Sequence, residues 1–135
     1  FNEAGELVGT AGWHHVNNGH KHPSIGILIG NPMYRGRGLG AVLVWVNTHM
    51  LMSEFAAVKV VAGTLAANRP SLRSFLKAGY LAEGTLRNEV FRPDNGWCDL
   101  IMLGCLSEDL KSADHLDLAE VRLEGSGRDH QRISS

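Results

Sequence analysis

Three glycines and two arginines alternate in Arg35-Gly36-Arg37-Gly38-Leu39-Gly40, between an apolar segment that closes at Asn31-Pro32 and another that runs from Ala41 to Val46. Apolar residues recur at helical spacing at Leu39, Val42, Leu43, Val46 and Met50, which predicts a helix that begins inside the glycine run and ends near Ser53. The first turn of a helix has amides without intrahelical acceptors and a partial positive charge, so an anion placed there meets donors and a favourable dipole together. Glycine lets backbone approach such a ligand and permits the positive φ angles that aim several amides at one point. Arg35 and Arg37 add charge beside them. The chemistry on offer is a pyrophosphate cradle, although an isolated motif of this kind is better read as a tight strand-to-helix turn with two solvated arginines.

Two other phosphate loops fit poorly. A Walker loop needs Gly-Lys followed by Ser or Thr, where this chain has Leu39-Gly40-Ala41. The dinucleotide fingerprint needs Gly-x-Gly-x-x-Gly and an acidic residue about 20 positions on at a strand end. Here the spacing from Gly36 is Gly-x-Gly-x-Gly, and the next acidic residue, Glu54, falls near a helix end.

His14, His15, His20 and His22 crowd a short stretch and raise the question of a metal. Neighbouring His14 and His15 point to opposite faces of a strand, and His20-Lys21-His22 lacks a third ligand at the usual spacing, so no metal is expected. Solvated histidines are the plainer reading; a proton-accepting role for one of them stays open, because imidazole exchanges protons near neutrality. Cys98 and Cys105 are expected on one strand, about 23 Å apart, which excludes a bond between them and points to reduced thiols in a cytoplasmic protein.

The elements that must position these groups follow from pattern and punctuation. Glu6 to Val16 reads as a strand, "VNNGHKHPS" as a loop, and "IGILIG" as a short strand buried on both faces. "VKVVAGTL" is a further buried strand. Arg69-Pro70 opens a second helix with an apolar stripe of Leu72, Phe75 and Leu76, stopped by Gly79. "YLAEGTLRNEVF" and "WCDLIMLGCL" form an antiparallel hairpin around Arg92-Pro93-Asp94-Asn95-Gly96. Residues 1–110 make one domain and 111–135 a charged tail without aliphatic periodicity. The order β, β, α, β, α, β, β predicts an α/β (α+β) domain with a mixed, mostly antiparallel sheet and flanking helices.

At 135 residues and 44% hydrophobic content, the chain can bury one core. Thirteen Lys and Arg against fourteen Asp and Glu leave a net charge of −1, which gives no reason to expect nucleic acid or a membrane surface as a partner. The longest apolar run is far shorter than the ~20 residues of a membrane span, so a soluble protein is expected.

The glycine run resembles the acetyl-CoA loop of the GNAT superfamily of N-acetyltransferases, written Arg or Gln-x-x-Gly-x-Gly or Ala, and matches it at every fixed position from Arg35 to Gly40. The preceding buried strand and proline, "GILIGNPMY", suit that family. A second signature agrees: an Asn, a helix, then Gly-Tyr, in "NRPSLRSFLKAGY" from Asn68 to Tyr80. The hairpin that follows looks like that of the branch containing ribosomal-protein and amino-acid N-acetyltransferases, and the likeness covers roughly residues 5 to 107.

The resemblance implies a GNAT-like acyl-CoA N-acyltransferase fold and transfer of an acetyl group from acetyl-CoA to a primary amine, a small molecule or a protein N-terminus, by direct attack. It implies that the strand around Leu28, Ile29 and Gly30 splays from "VKVVAGTL" and binds pantetheine. Arg35, Gly36, Arg37, Gly38, Leu39, Gly40 and Ala41 would hold the diphosphate, and Asn68 would contact pantetheine or phosphate unless it is simply a helix-initiating residue. The positions where the family often carries a base hold Ser24 and Gly63, and its frequent tyrosine acid falls at Phe75. Ser74 is the nearest hydroxyl, alternatively an exposed helical serine. The family also has a strand and two helices before the point matching Phe1, so an N-terminally truncated domain with an uncovered sheet surface is expected; a homodimer is one way to cover it. A CoA-binding module without turnover, or an inactive fragment, is the alternative function.

Overall fold

The computed structural model describes residues 1, 3–7, 9–14, 22–29 and 38–113. They form seven elements in the expected order: β1 (Gly9–His14), β2 (Ser24–Ile29), α1 (Leu39–Glu54), β3 (Lys59–Leu65), α2 (Arg69–Ala78), β4 (Leu81–Arg92) and β5 (Gly96–Leu106). β1 starts at Gly9, three residues later than the sequence pattern suggests, because Glu6 and Leu7 are exposed and outside the ladder. The five strands make one sheet in the order β1-β2-β3-β5-β4, in which β2 and β3 are parallel and every other pair antiparallel.

Both helices pack on one face of that sheet. Cross-strand register sets Trp13 opposite Ile25, Ala62 opposite Leu103 and Val60 opposite Cys105. These six join Val44 and Leu51 of α1, Phe75 and Ala78 of α2, and Tyr80 in one buried cluster. Burial of a large apolar side chain stabilises by roughly 1.5–3 kcal/mol, so this cluster dominates the fold. Among the described residues, no helix lies on the opposite face. That overturns the expectation that the two central strands are buried on both sides: Val60, Ala62 and Ile25 are buried, whereas Gly26 and Gly63 are exposed.

Helix α1 is rotated from the predicted stripe. Its buried residues are Ala41, Val42, Val44, Asn47, Thr48 and Leu51, while Leu39, Leu43, Val46 and Met50 are half-buried. The sequence between residues 39 and 52 is apolar almost all round, so spacing alone cannot choose the inward face. A polar contact helps to choose it: the hydroxyls of Thr48 and Tyr80 lie 2.6 Å apart, and their mutual satisfaction favours this rotation. In α2, Phe75 and Ala78 take the interior and Leu76, one step round the helix, is exposed. Phe75 meets Tyr80 edge-on at 5.1 Å between ring centroids.

Gly79 ends α2 at φ 120°, and a methyl group there would run into the backbone carbonyl of Asp109. The chain after β5 returns across both helices at this point. The amide of Lys111 donates to the carbonyl of Ala78 at 3.0 Å, and its own carbonyl accepts from the indole Nε1 of Trp45 at 2.7 Å. Cys98 and Cys105 are both on β5 and both free.

Strand β4 is an edge, and two irregularities interrupt its pairing. Glu83 is extra between Ala82 and Gly84, and Arg87, Asn88 and Glu89 together oppose Asp99. Asn88 is left-handed at φ 49°, and its amide donates to Asp99 Oδ1 at 2.9 Å. Bulges and charges of this kind blunt an edge against pairing with another chain. The hairpin turns through Pro93, Asp94 and Asn95, with the amide of Asn95 bonded to the carbonyl of Arg92 and a left-handed Gly96.

Candidate functional site

The parallel pair β2-β3 is joined at one end. Ser24 registers with Val61, and the amide of Val61 donates to the carbonyl of Pro23 at 2.9 Å; no register pair follows between the two strands. β2 continues to Ile29 and β3 to Leu65, so the two strands part and leave a gap between them. Alternation of the ladder decides which groups face it. Ser24, Gly26 and Leu28 turn their backbone groups toward β1, whereas the amides and carbonyls of Ile27 and Ile29 turn toward the gap. Of the three positions assigned to this strand from sequence, Ile29 therefore faces the gap, Leu28 pairs with Thr10, and Gly30 lies outside the described residues. Ile27 was not anticipated; strict period-two alternation from Pro23 is the signal that identifies it.

Helix α1 begins beside that strand. Gly38 sits at its start at φ 78° and ψ 2°, with open space where a side chain would be. It offers no side-chain cap, and the first turn contains no acidic residue. The amides of Leu39, Gly40 and Ala41 thus have no acceptor within the helix and no carboxylate of its first turn beside them. Arg35, Gly36 and Arg37 lie outside the described residues.

Gly40 serves a second purpose. A Cβ built there would lie 2.6 Å from Ser74 Oγ and 3.5 Å from Ile27 Cδ1, so its missing side chain lets α1, α2 and β2 converge. Ser74 is half-buried in that corner, and its hydroxyl donates to the carbonyl of Pro70 at 3.0 Å. Sequence reasoning offered it as a hydroxyl or as an exposed helical serine; the structure places it against the start of α1 with its proton turned back to its own helix. Asn68 caps α2, its Oδ1 accepting from the amide of Ser71 at 3.3 Å. Ala41 is buried, so its side chain is not available to a ligand.

The side chains that flank the gap separate by face. On the helix side stand Ile25, Ile27, Ala62 and the buried Thr64. On the opposite side Gly26 and Gly63 flank the gap, two residues on from the paired Ser24 and Val61. Tyr80, the last residue of the second signature, is not among them: it is 1% exposed and bonded to Thr48, and burial raises its phenol well above the ordinary range despite that hydrogen bond. Burial likewise pushes the Cys105 thiol up to about 12, with the charge of Asp109 adding to the effect. Both are inert proton holders in the core. Among the described residues, no three His, Cys, Asp or Glu come together as a metal would require. A concavity of about 650 Å³ over the β4 bulge, lined by Thr85, Leu86, Arg87, Asn88, Glu89 and Asp99, lies across β3 and β5 from the gap.

A strand pair that parts beside an uncapped glycine-led helix is the arrangement that the resemblance to the GNAT superfamily implies, and the comparisons agree on that family. The model of the acetyltransferase (GNAT) domain matches residues 1–81, more than half of the 135, and the chain belongs to that family. The structure resembles a GNAT-family acetyltransferase from Bacillus anthracis, with TM-score 0.68 and 24% identity over 78% of this chain and 62% of that one. It also resembles a variant of spermidine N-acetyltransferase from Vibrio cholerae, with TM-score 0.69 and 18% identity over 88% of this chain and 66% of that one. The ribosomal-protein-S5-alanine acetyltransferase from Vibrio fischeri gives TM-score 0.69 and 18% identity over 79% of this chain and 58% of that one. At these identities the likeness is one of fold, and the chain spans less than two thirds of each neighbour's length. No curated protein matches the sequence.

Proposed function

We propose that the chain transfers the acetyl group of acetyl-CoA to a primary amine by direct attack of the amine on the thioester. The observation that carries this reading is the parting of β2 from β3 after Ser24 and Val61, next to the uncapped start of α1. Pantetheine, an extended chain of amides, fits the free edge of β2, where Ile27 and Ile29 offer both donors and acceptors. A diphosphate fits the amides that open α1. The amide of Ile27 or Ile29 polarises the thioester carbonyl and holds the oxyanion as the amine nitrogen bonds to the carbonyl carbon and the carbon–sulfur bond breaks; preorganised donors of this kind often contribute the largest share of rate enhancement. The nitrogen sheds its surplus proton, and the thiolate leaves and takes one up. Two of the structural neighbours are named for spermidine and for an alanine of a ribosomal protein, so spermidine and an alanyl peptide are the first amines to try.

Calorimetry with acetyl-CoA and a thiol-release assay test this together. Gly38→Asn keeps a residue that tolerates the left-handed region and should bind acetyl-CoA nearly as the wild type does, whereas Gly38→Glu puts a carboxylate beside the phosphates and should weaken binding more than about tenfold. Equal affinity in the two variants, or no affinity in the wild type, overturns the assignment. A second reading, a CoA-binding module without turnover, draws on Ser24, Gly63 and Phe75 at the positions where an acid or base is sought. Binding without thiol release would favour it.

A further inference from the structure

We infer that the Thr64 hydroxyl donates a hydrogen bond to the sulfur of the thioester as the carbon–sulfur bond breaks. The inference rests on the acetyl-transfer reading above and adds to it a side chain that acts on the leaving group.

Three polar side chains are buried among the described residues: Asn47, Thr48 and Thr64. Two of them have partners. Asn47 Nδ2 donates to the carbonyl of Leu43 at 2.8 Å, and the hydroxyl of Thr48 meets that of Tyr80 at 2.6 Å. Among the described residues the Thr64 hydroxyl has no such partner, although the residue is only 4% exposed. A buried hydroxyl left unpaired is costly, and valine would fill nearly the same space without that cost. The hydroxyl calls for a partner from outside the fold. Among the described residues, no side-chain oxygen or nitrogen is both sealed from solvent and unpaired, so the Thr64 oxygen is open on one side.

The place of Thr64 in the sheet decides which side that is. Its ladder partner on β5 is Ile101, which packs against the core cluster, and the residue behind it in the same file is the buried Ala62. Toward β2 it has no paired strand, because Ser24 and Val61 are joined and no register pair follows them. Three residues on from that joined pair along each strand stand Ile27 and Thr64, one on each side of the gap and both on the helix side. The nearby hydroxyl of Ser74 is committed to the carbonyl of Pro70, and Phe75 carries none.

These positions decide which atom of a bound thioester each group meets. The amides that open α1 lie on the helix side, so a chain that runs from a diphosphate held there enters the gap from that side. With its carbonyl oxygen on the Ile27 amide, the thioester turns its sulfur and its methyl group toward β3. Sulfur is the one joined to the entering chain, so it rests on the helix side, where the Thr64 hydroxyl stands.

The amine nitrogen bonds to the carbonyl carbon, the carbon–sulfur bond breaks, and its electron pair goes to sulfur. A threonine hydroxyl holds its proton far more tightly than a thiol does, so Thr64 donates a hydrogen bond to the thiolate and keeps the proton. The nitrogen sheds its surplus proton to solvent, and the thiolate takes one from solvent. Hydrogen bonds to a charged acceptor are roughly twice as strong as neutral ones, so this bond strengthens as charge develops and speeds the step.

The test compares wild type, Thr64→Val and Thr64→Ser in four measurements: denaturant unfolding, acetyl-CoA affinity by calorimetry, thiol release with spermidine or an alanyl peptide, and titration of the thiol of bound coenzyme A, followed by thiolate absorbance against the free protein. Thr64→Val should unfold at the same or a higher denaturant concentration than wild type, because the hydroxyl it loses has no partner in the fold. It should bind acetyl-CoA within about threefold of wild type, lose roughly 10- to 100-fold in kcat, and raise the titration of the bound thiol by about one pH unit or more. Thr64→Ser should keep kcat within about threefold and the titration near that of wild type. A Thr64→Val variant that is clearly less stable than wild type shows that the hydroxyl serves the fold and overturns the inference, as does one with unchanged kcat and unchanged titration. Wild type that binds acetyl-CoA but releases no thiol leaves the binding-module reading, and an unshifted titration in Thr64→Val then overturns the sulfur contact by itself. Wild type that fails to bind acetyl-CoA removes the parent reading, and the inference with it.

Discussion

The two faces of one sheet differ more than its strands do. On the helix side Val60, Leu103 and Cys105 are fully buried under Val44, Leu51, Phe75 and Tyr80. On the other side the sheet presents Gly26, Gly63, half-buried Val61 and Met102, and Leu81 at 58% exposure. Period-two alternation allows this: each strand sends every second side chain to a dry core and the rest to a surface that can differ completely in purpose. The lesson is that a packed core and an open surface can be assigned to alternate residues of one shared backbone, with the gap between β2 and β3 lying between the two faces.

Substitutions can break that division. The largest stability effect should come from the helix side: Phe75→Ala removes a ring that is 2% exposed and edge-on to Tyr80, at a cost of about 3–5 kcal/mol measured by denaturant unfolding. A loss below about 1 kcal/mol would mean that the core is not where the structure puts it.

A smaller effect should come from alkali. Cys105 has its thiol raised from the ordinary 9.0 to about 12, and Tyr80 is raised from 10.0, both chiefly by burial. The folded state then holds protons that the unfolded chain releases, so stability is fully present below about pH 9 and falls as pH rises toward 12. Cys105→Ala should make that fall shallower in unfolding experiments between those limits; an unchanged slope would show that the thiol ionises freely in the fold.

The smallest stability effect belongs to the open face. Gly26→Ala adds a methyl group where nothing lies within 4 Å, so stability should stay within about 1 kcal/mol of wild type and can rise through a less flexible unfolded chain. Amine turnover should nevertheless drop, because the methyl stands at the lip of the gap. If turnover is unchanged while binding of acetyl-CoA persists, the proposed acetyl transfer does not pass that lip.

Much of this architecture was legible in the sequence because punctuation is local. Asn68 before Arg69-Pro70, Gly79 after Ala78 and the Pro-Asp-Asn-Gly turn each act within a few residues, so their elements appear where the pattern puts them. What depends on neighbours distant in sequence was not legible. The inward face of α1 rests in part on Thr48 meeting Tyr80, 32 residues away. The exposure of Gly63 depends on which face both helices choose. Gly40 read as a ligand-approach glycine, and the structure adds a packing role that only the position of Ser74 reveals. In the site, the splay of the strand before the glycine run followed from family resemblance, but the identity of the residues turned toward it required the ladder register.

The backbone of Lys111 ties the end of one helix, through Ala78, to an indole on the other, through Trp45. This makes a residue past the final strand a mechanical part of the helical layer: a fusion joint or an affinity tag inserted directly after Leu106 would unfasten the clasp that keeps the two rods side by side. Since the corner where Gly40 touches Ser74 belongs to those same rods, loosening the clasp at one end would be felt as a widening at the other, next to the strands that part.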